Sequence, residues 1–370
     1  MHTVYIIDYL GIHCGMHYYC EAFRKVLSDV PGISVELLSN FPSEPGRMPF
    51  FVNQYKGNIL QKGISLLRNL RRLRKFVSSH PDGLFVYLTY GNIIDVPFMK
   101  IISASPAHLV DIHEVVAQKN DTSRWRRNVI SRLYRNSVRA VISHSARTDE
   151  ILKEFGYEGE RLFVPHFKYL FPKSYDVAAV GEDLKGAFDS GRVNVLFFGN
   201  LNRQKGIDVM LEAMNLLDDD AARSISLLVA GKDNDGAVDT VTVRPGRKVT
   251  VVRRHISDNE LTFLYSNTDY VALPYRKTSQ SGILEMAFYF RRPIIASDLP
   301  YFRKALTEFP SFGLLAGNTA ESFANALAET ARRHCSAAYY NENEYSRYEN
   351  RAEIKAFTAD FATWMANLKP

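Results

Sequence analysis

FFGNLNRQKGIDVMLEAM, residues 197–214, decides the fold. Its apolar start ends a strand at Phe198, a loop with Gly199, Arg203 and Lys205 follows, and a helix then begins. A buried strand that turns through a glycine into a helix is typical of a parallel sheet wrapped by helices. The loop brings backbone N–H groups, a helix N-terminus and two cations to one point, which suits a diphosphate. The alternative is a plain βα loop with two solvated cations.

The same alternation extends in both directions from this stretch. Strands are predicted at 4–8, 33–38, 84–89, 109–113, 140–143 and 162–164, and again at 193–198, 226–230, 249–252, 270–273 and 294–296. Two such series predict an α/β chain of two Rossmann-like, doubly wound domains facing a cleft. The expected boundaries are an N-terminal domain over 1–170, a linker over 171–191, a C-terminal domain over 192–342, and a helix over 343–370 that packs back on the first domain.

A second informative stretch is PYRKTSQSGILEMAFYFRRPIIASD, residues 274–298. A strand ends here, a hydroxyl-rich loop follows, and a helix begins near Gly282. Ser279, Gln280 and Ser281 can donate hydrogen bonds to phosphate oxygens at that helix start. Gly282 permits close approach of a ligand to the backbone. Ordinary N-capping by a serine is the alternative.

Composition excludes several classes of protein. Hydrophobic residues make up 46% and charged residues 23% of the 370, which is ordinary for a globular chain. The sequence has no run of 18 apolar residues and enters a strand at once, so neither a membrane span nor a signal peptide is expected. The cysteines are only Cys14, Cys20 and Cys335. An odd, sparse set favours reduced thiols and a cytoplasmic protein.

Positive charge is concentrated in the first half of the chain. Residues 1–172 contain 22 Lys+Arg against 15 Asp+Glu, an excess of +7, whereas the whole chain carries +6. Such an excess indicates an anionic partner or a solvated basic surface. RNA could stack on the aromatic residues of 123–139, but no RNA-binding motif accompanies them, so no nucleic acid is expected.

The stretch 59–77, ILQKGISLLRNLRRLRKFV, reads as an amphipathic helix. Its periodicity predicts one apolar face packed on the sheet, made of Ile59, Leu60, Leu66, Leu67, Leu70, Leu73 and Val77. Arg68, Arg71, Arg72 and Lys75 lie away from that face. They either form a solvated surface or touch anionic lipid.

Taken in order, these segments resemble the retaining GT-B glycosyltransferases of family 4, over nearly the whole chain. The "FFG…KG" loop, "LLVAG" at 227–231 and the block "LPY…SQSG…RPIIASD" carry the resemblance, with VDIHEV at 110–115 and VISHSARTDEIL at 141–152. The SQSG loop is most similar to that of bacterial polysaccharide enzymes with "QSG". The resemblance implies a transferase that uses a nucleoside-diphosphate sugar and needs no metal or other cofactor. A glycan or lipid-linked glycan would be the acceptor, at the inner face of the cell membrane.

The resemblance also implies roles for individual residues. Lys205, with Arg203, would hold the donor's diphosphate, and the loop from Ser279 to Gly282 would cradle the phosphates and sugar. His113 would contact the sugar. The remaining donor contacts implied are Gly11, Gly15, Gly199, Asn200, His255, Ile256 and Glu285.

Three departures from the family pattern affect this site. Asn200 stands where the family has arginine directly after the loop glycine, and Arg203 lies three residues later. Thr278 and Met286 stand where the family has its two glutamates. Glu285 is one residue from the second of these, and one residue turns a helical side chain by about 100°.

Other interpretations stay open. His13, Cys14, His17 and Cys20 fit no standard zinc spacing, and His113 could be a packed strand-end histidine. A nucleotide-sugar epimerase or phosphorylase could use the same paired domains, and altered motif residues could mark a non-catalytic binding partner. A nicotinamide oxidoreductase is not expected, because no G-x-G-x-x-G follows the first strand.

Overall fold

The computed structural model describes residues 2–11, 15–40, 46–113, 123–167, 169, 171–233, 235–278, 280–333 and 341–368. The chain forms two compact units. One unit contains Met1–Tyr169 together with Arg351–Pro370, and the other contains Leu170–Asn350. Each unit is built on its own parallel β-sheet, which confirms the prediction of two Rossmann-like domains.

The first unit has a seven-stranded sheet in the order β3-β2-β1-β4-β5-β6-β7, with every neighbouring pair parallel. Its elements are β1 His2–Ile7, α1 Met16–Ser28, β2 Ile33–Ser39, β3 Arg47–Pro49, α2 Ile59–Ser79, β4 Leu84–Thr89, α3 Asp95–Ile102, β5 His108–Ile112, α4 Arg124–Ser137, β6 Ala140–Ser143, α5 Ala146–Glu154 and β7 Glu160–Phe163.

The second unit has a six-stranded parallel sheet in the order β10-β9-β8-β11-β12-β13. Its elements are α6 Glu182–Lys185, β8 Val193–Phe198, α7 Ile207–Leu216, α8 Asp219–Ser224, β9 Ile225–Ala230, β10 Lys248–Val252, α9 Asp258–Asn267, β11 Tyr270–Leu273, α10 Gly282–Tyr289, β12 Ile294–Ser297, α11 Pro300–Glu308, β13 Gly313–Ala316, α12 Ala320–Arg333 and α13 Glu342–Glu349. The last helix, α14 Ala352–Ala366, belongs to the first unit.

The central strands explain why these sequences form parallel sheets. Every residue of β4, β5 and β9 is buried, because helices cover both faces of each sheet. Strands buried on both sides read as continuous apolar runs such as LFVYLT and ISLLVA, which distinguishes them from half-exposed, alternating strands. Each unit has its own hydrophobic core.

Two predicted segments are organised differently. Residues 171–191, expected as a linker, fold with the second unit: they include α6, and the Gly181 N–H donates to Glu260 of α9 over 3.2 Å. The helical stretch expected over 343–370 is divided into α13 and α14. Arg351 between them has an extended backbone, with φ −49° and ψ 122°, which interrupts the helical hydrogen bonds.

Candidate functional site

The strand order of the second unit reverses at β8. From there β9 and β10 lie on one side, and β11, β12 and β13 lie on the other. In open α/β sheets, ligands bind beyond the carboxyl ends of the strands at such a reversal. The two stretches singled out in the sequence follow β8 and β11, so the topology brings them together at the expected binding edge.

Gly199 is the point at which these two stretches meet. A Cβ atom added there would lie 2.8 Å from Lys205 Nζ and 2.9 Å from Ile283 Cδ1, in the first turn of α10. The φ of Gly199 is +119°, a value that only glycine adopts easily. The Lys205 ammonium and the N-terminus of α10 therefore flank one glycine, an arrangement suited to binding an anion.

The position of Lys205 is fixed from several sides. It ends a short 3-10 turn, Arg203–Lys205, and its backbone N–H donates to the Asn202 side chain over 2.9 Å. Its ammonium lies 5.3 Å from the centre of the Tyr275 ring, a cation–π contact. Tyr275 follows β11 and lies in the quoted LPY motif, but no role is predicted for it from the sequence, so its contact with Lys205 is a finding of the structure.

Arg276 joins the loop after β8 to the loop after β11. Its backbone N–H donates to the Gln204 carbonyl over 2.9 Å, and its guanidinium binds both Asp208 oxygens, at 2.8 and 2.9 Å. The guanidinium also donates to the Arg203 carbonyl. These bonds hold the backbone around Lys205, whereas the Arg203 side chain is exposed.

The start of α10 combines capping with open backbone donors. The buried Ser281 hydroxyl accepts from the Leu284 N–H over 3.3 Å, which is ordinary N-capping. Gln280 and Gly282 are half-buried, and the Gln280 carbonyl accepts from Thr278 over 2.6 Å. Ser279 lies outside the described residues. Since capping satisfies the Leu284 N–H, the N–H groups of Gly282 and Ile283, which precede it in the first turn, are the ones placed to meet phosphate.

Glu285 lies in the first turn of α10. It is buried, and its Oε2 accepts from the Tyr348 hydroxyl of α13 over 2.7 Å. The one-residue shift from the family's position has turned the side chain around the helix, as the 100° rotation per residue requires. A ribose contact by Glu285 stays a prediction.

The segment after β10 forms another part of this edge. Arg254 forms ion pairs with Asp183 and with Glu260. Of the two residues that follow, His255 is exposed and Ile256 is buried. The Arg254 guanidinium lowers the pKa of Glu260 to about 2, so the carboxylate stays charged and holds the segment. Asn200, after β8, is also exposed.

The first unit has its own reversal, between β1 and β4. Asp8 follows β1 and accepts from the N–H groups of Leu10 and Gly11, at 3.1 and 2.9 Å. Gly11 has a φ of +53°, and a Cβ there would lie 1.9 Å from Asn40 Oδ1. Gly15 caps α1, and residues 12–14 of the loop lie outside the described part of the chain.

His113 is part of a buried cluster at the carboxyl ends of β5 and β6. Its Nε2 lies 3.4 Å from Asp111 Oδ1, and its ring packs edge-on against Tyr19 at 4.2 Å. Asp111 also accepts from Tyr19 over 2.8 Å and lies 2.7 Å from His144 Nε2. Burial, then repulsion by His144 and His166, lowers the pKa of His113 well below its usual value, so the ring is neutral. Its contact with a donor sugar stays a prediction.

The same cluster offers potential metal ligands. Asp111, His113 and His144 each provide one ligand atom within 4.8 Å of the others. His144 Nδ1 lies 2.9 Å from the Val164 carbonyl, so both ring nitrogens of His144 face oxygen acceptors.

The metal ligands considered near the N-terminus form no such group among the described residues. Cys20 is buried and its thiol donates to Asp8 over 3.3 Å, while the His17 ring lies tilted against the Tyr18 ring, with 3.6 Å between the ring centres. His13 and Cys14 lie outside the residues that the structure describes.

Helix α2 differs from the sequence prediction. Leu73 and Val77 are buried, and Leu66 and Leu70 are partly buried, as expected. The prediction is wrong for Ile59, Leu60 and Leu67, which are exposed, because periodicity defines a helix face but not how far the core extends along it. The cations Arg68, Arg71 and Lys75 are exposed, and Arg72 stacks on the Phe50 ring at 4.6 Å.

Comparison with known protein families matches the part of the chain that contains this site. The family described as Glycosyl transferases group 1 matches residues 192–333, which contain both loops around Gly199. No curated protein matches the sequence significantly.

Several solved structures share the fold over almost the full chain. Sucrose-phosphate synthase from Thermosynechococcus elongatus is 17% identical with a TM-score of 0.71, and the match covers 100% of this chain and 99% of that one. HepE of Anabaena in complex with UDP-glucose is 12% identical, covers 99% and 100%, and has a TM-score of 0.67. WaaG, a glycosyltransferase involved in lipopolysaccharide biosynthesis, is 13% identical, covers 98% and 100%, and has a TM-score of 0.65. These likenesses establish the GT-B fold, and with the family match they support a glycosyltransferase.

Proposed function

We propose that the protein transfers a sugar from a nucleoside-diphosphate sugar to a glycan or lipid-linked glycan, with retention, in bacterial surface polysaccharide assembly. Within the glycosyltransferases it would belong to family 4, in the branch with a QSG loop. The observation that carries the donor assignment is the meeting of Lys205 and the α10 N-terminus at Gly199, where the strand order reverses. The complexes of HepE with UDP and UDP-glucose agree with this class of donor.

The geometry suits departure of a nucleoside diphosphate. When the bond between the anomeric carbon and the diphosphate oxygen breaks, negative charge develops on that oxygen. The Lys205 ammonium and the N–H groups of α10 are preorganised positive groups, which stabilise such charge more in the transition state than in the substrate. The acceptor hydroxyl oxygen then forms the new bond to the anomeric carbon, and its proton passes to the diphosphate oxygen that leaves.

A thermal-shift screen against UDP-, GDP-, ADP- and dTDP-sugars tests the donor class. A ligand at 100 times its dissociation constant stabilises the folded state by about 2.7 kcal/mol, which is readily measured. We expect one of the four nucleotides to give the largest shift. If no nucleotide sugar stabilises the protein, the donor assignment fails.

We expect turnover to proceed without a divalent metal. Lys205 and the α10 N-terminus supply positive charge where a metal would otherwise bind the diphosphate. The measurement is sugar transfer in excess chelator, with magnesium and manganese added back in parallel. Loss of activity in chelator and recovery with either metal would contradict this account.

A lipid-linked acceptor and a place on the inner membrane face form the second part of the proposal. No helix within the described ranges is long and apolar enough to cross a membrane. The basic excess of residues 1–172 and the exposed cations Arg68, Arg71 and Lys75 support attraction to an anionic surface instead. An enzyme that resides on the bilayer meets a lipid-linked acceptor that cannot leave it.

Replacing Arg68, Arg71, Arg72 and Lys75 with Gln is expected to weaken binding to anionic vesicles. Each cation near such a surface contributes about 1 kcal/mol, and the attraction fades beyond a Debye length of about 10 Å at 0.1 M salt. Sedimentation with neutral and anionic vesicles at several salt concentrations measures this. If the unchanged protein binds neutral and anionic vesicles equally, these four residues are an ordinary solvated surface and do not bind lipid.

A further inference from the structure

The first two turns of α2 carry an exposed apolar surface. Ile59, Leu60, Ile64 and Leu67 are 90%, 70%, 57% and 54% exposed. Leu60, Ile64 and Leu67 follow one another at intervals of four and three, so they lie along one side of the helix. We call this surface, within residues 59–67, the α2 tip. Grouped exposed apolar side chains mark an interaction site more often than isolated ones do.

The charges along α2 show what kind of partner fits. The side of α2 that carries Ile64 continues, at intervals of four, three and four residues, with Arg68, Arg71 and Lys75. Apolar and cationic residues therefore share one exposed side of the helix. The helix sequence contains six Lys and Arg and no Asp or Glu. An ordinary solvated helix face interleaves both signs, whereas a basic amphipathic helix with an apolar part is typical of a membrane surface.

The α2 tip lies close to the ligand-binding edge of the first unit. The hydroxyl of Tyr55, just before the helix, lies 3.5 Å from the hydroxyl of Tyr9. The Tyr9 hydroxyl also accepts a hydrogen bond from the Asn92 side-chain amide over 3.3 Å. Tyr9 follows β1 and Asn92 follows β4, the two strands between which the sheet order reverses. A short chain of hydrogen bonds therefore connects the start of α2 with the loops at that reversal.

We propose that the α2 tip inserts into the acyl-chain boundary of an anionic bilayer, with Arg68, Arg71 and Lys75 on the headgroups. Insertion there brings the reversal of the first sheet to the bilayer surface, where a lipid-linked acceptor presents its polar end. This inference rests on the proposed function for the acceptor's identity and adds an apolar, salt-resistant component to membrane binding. Helix α2 has six cations and no acidic residue, so a protein partner or a second copy would need a matching set of acidic side chains. An anionic bilayer neutralises these cations without specific pairing.

The test compares the full chain with a Leu60→Ser, Ile64→Ser, Leu67→Ser variant in flotation with vesicles of phosphatidylglycerol and phosphatidylcholine. Because these side chains are exposed, the variant should fold normally. We expect its partition onto the vesicles to fall about tenfold or more, and the binding that remains in high salt to disappear. A Val177→Ser, Leu216→Ser variant is the matched control, since both residues are exposed apolar side chains of the second unit.

Fluorescence reports the insertion itself. Trp125 is exposed and Trp364 is buried, so an Ile64→Trp variant in a Trp125→Phe background carries one exposed tryptophan, in the α2 tip. Its emission should shift to the blue on anionic vesicles. Donor binding by thermal shift, measured without lipid, should be the same in every variant. Failure of the insertion is thereby distinguished from failure of the donor assignment.

Two results would overturn the inference. One is vesicle binding by the triple serine variant equal to that of the unchanged protein. The other is a protein that self-associates through the α2 tip, seen as a dimer by sedimentation that the serine variant abolishes while vesicle binding stays the same.

Discussion

Lys205→Ala is expected to weaken nucleotide-sugar binding by roughly 10- to 150-fold, the equivalent of about 1.5–3 kcal/mol for a hydrogen bond to a charged group. The ammonium lies beside Gly199 and the first turn of α10, where it would meet the donor's diphosphate. Its removal leaves the helix N-terminus and Arg203, whose side chain is exposed, as positive groups for the diphosphate. Turnover should fall further than affinity, because charge on the departing diphosphate is greatest in the transition state.

Isothermal titration calorimetry with the nucleotide sugar found by the screen measures this loss. Lys248→Ala is the matched control, since Lys248 begins β10 and so lies at the amino edge of the sheet, away from the loops. Both variants should melt at the temperature of the unchanged protein, because half-buried Lys205 contributes little to the core. An affinity for the donor that does not change in Lys205→Ala would remove this residue from the site.

Gly206→Ala should destabilise the second unit by about 3 kcal/mol or more and abolish donor binding. Gly206 has a φ of +75°, and a Cβ there would lie 1.8 Å from the Pro274 carbonyl. Left-handed backbone costs a non-glycine residue about 1–2 kcal/mol, and the clash with backbone adds to this. Because Gly206 directly follows Lys205, relief of the clash moves the ammonium out of place.

A substitution at Gly236 separates the cost of the left-handed backbone from the cost of the clash with Pro274. Gly236 has a similar φ of +66°, but a Cβ there meets no atom within 4 Å. Gly236→Ala should therefore cost only the backbone term of about 1–2 kcal/mol and leave donor affinity unchanged. Urea denaturation and calorimetry on both variants give the comparison. Equal losses of stability would show that the contact with Pro274 does not matter.

Much of the fold was predictable because its signals are local. Buried parallel strands are mostly apolar runs, as in β8, VNVLFF, and β11, YVAL. The start of α9 can be predicted from its capping box, Ser257 with Glu260. The strands β3 and β13 were not predicted. The three residues of β3, RMP, form no apolar run. The apolar run of β13, GLLA, has only four residues and is mostly not buried, so it lacks the length and burial of a central strand.

The candidate site was predictable in its loops but not in its supporting contacts. Gly199 and Lys205 stand in a recognisable order after a strand. The contribution of Tyr275, the Arg276 bridge and the Asp111–His144 pair depends on distances between segments far apart in sequence. The hydrogen bond that Glu285 accepts from Tyr348 is a further contact of this kind, since it joins residues 63 positions apart.

The return of α14 to the first unit has a consequence for synthesis of the chain. Phe357 packs against Phe23 and Phe167, and Arg351 donates to the His166 carbonyl over 3.0 Å. These partners are translated long before the helix that covers them. Domains generally fold in the order in which they leave the ribosome, but this one waits with an uncovered aromatic surface until the second unit has been made. Its last folding step therefore follows synthesis of the second unit, and a ribosome that stalls within α12 would expose that surface to chaperones.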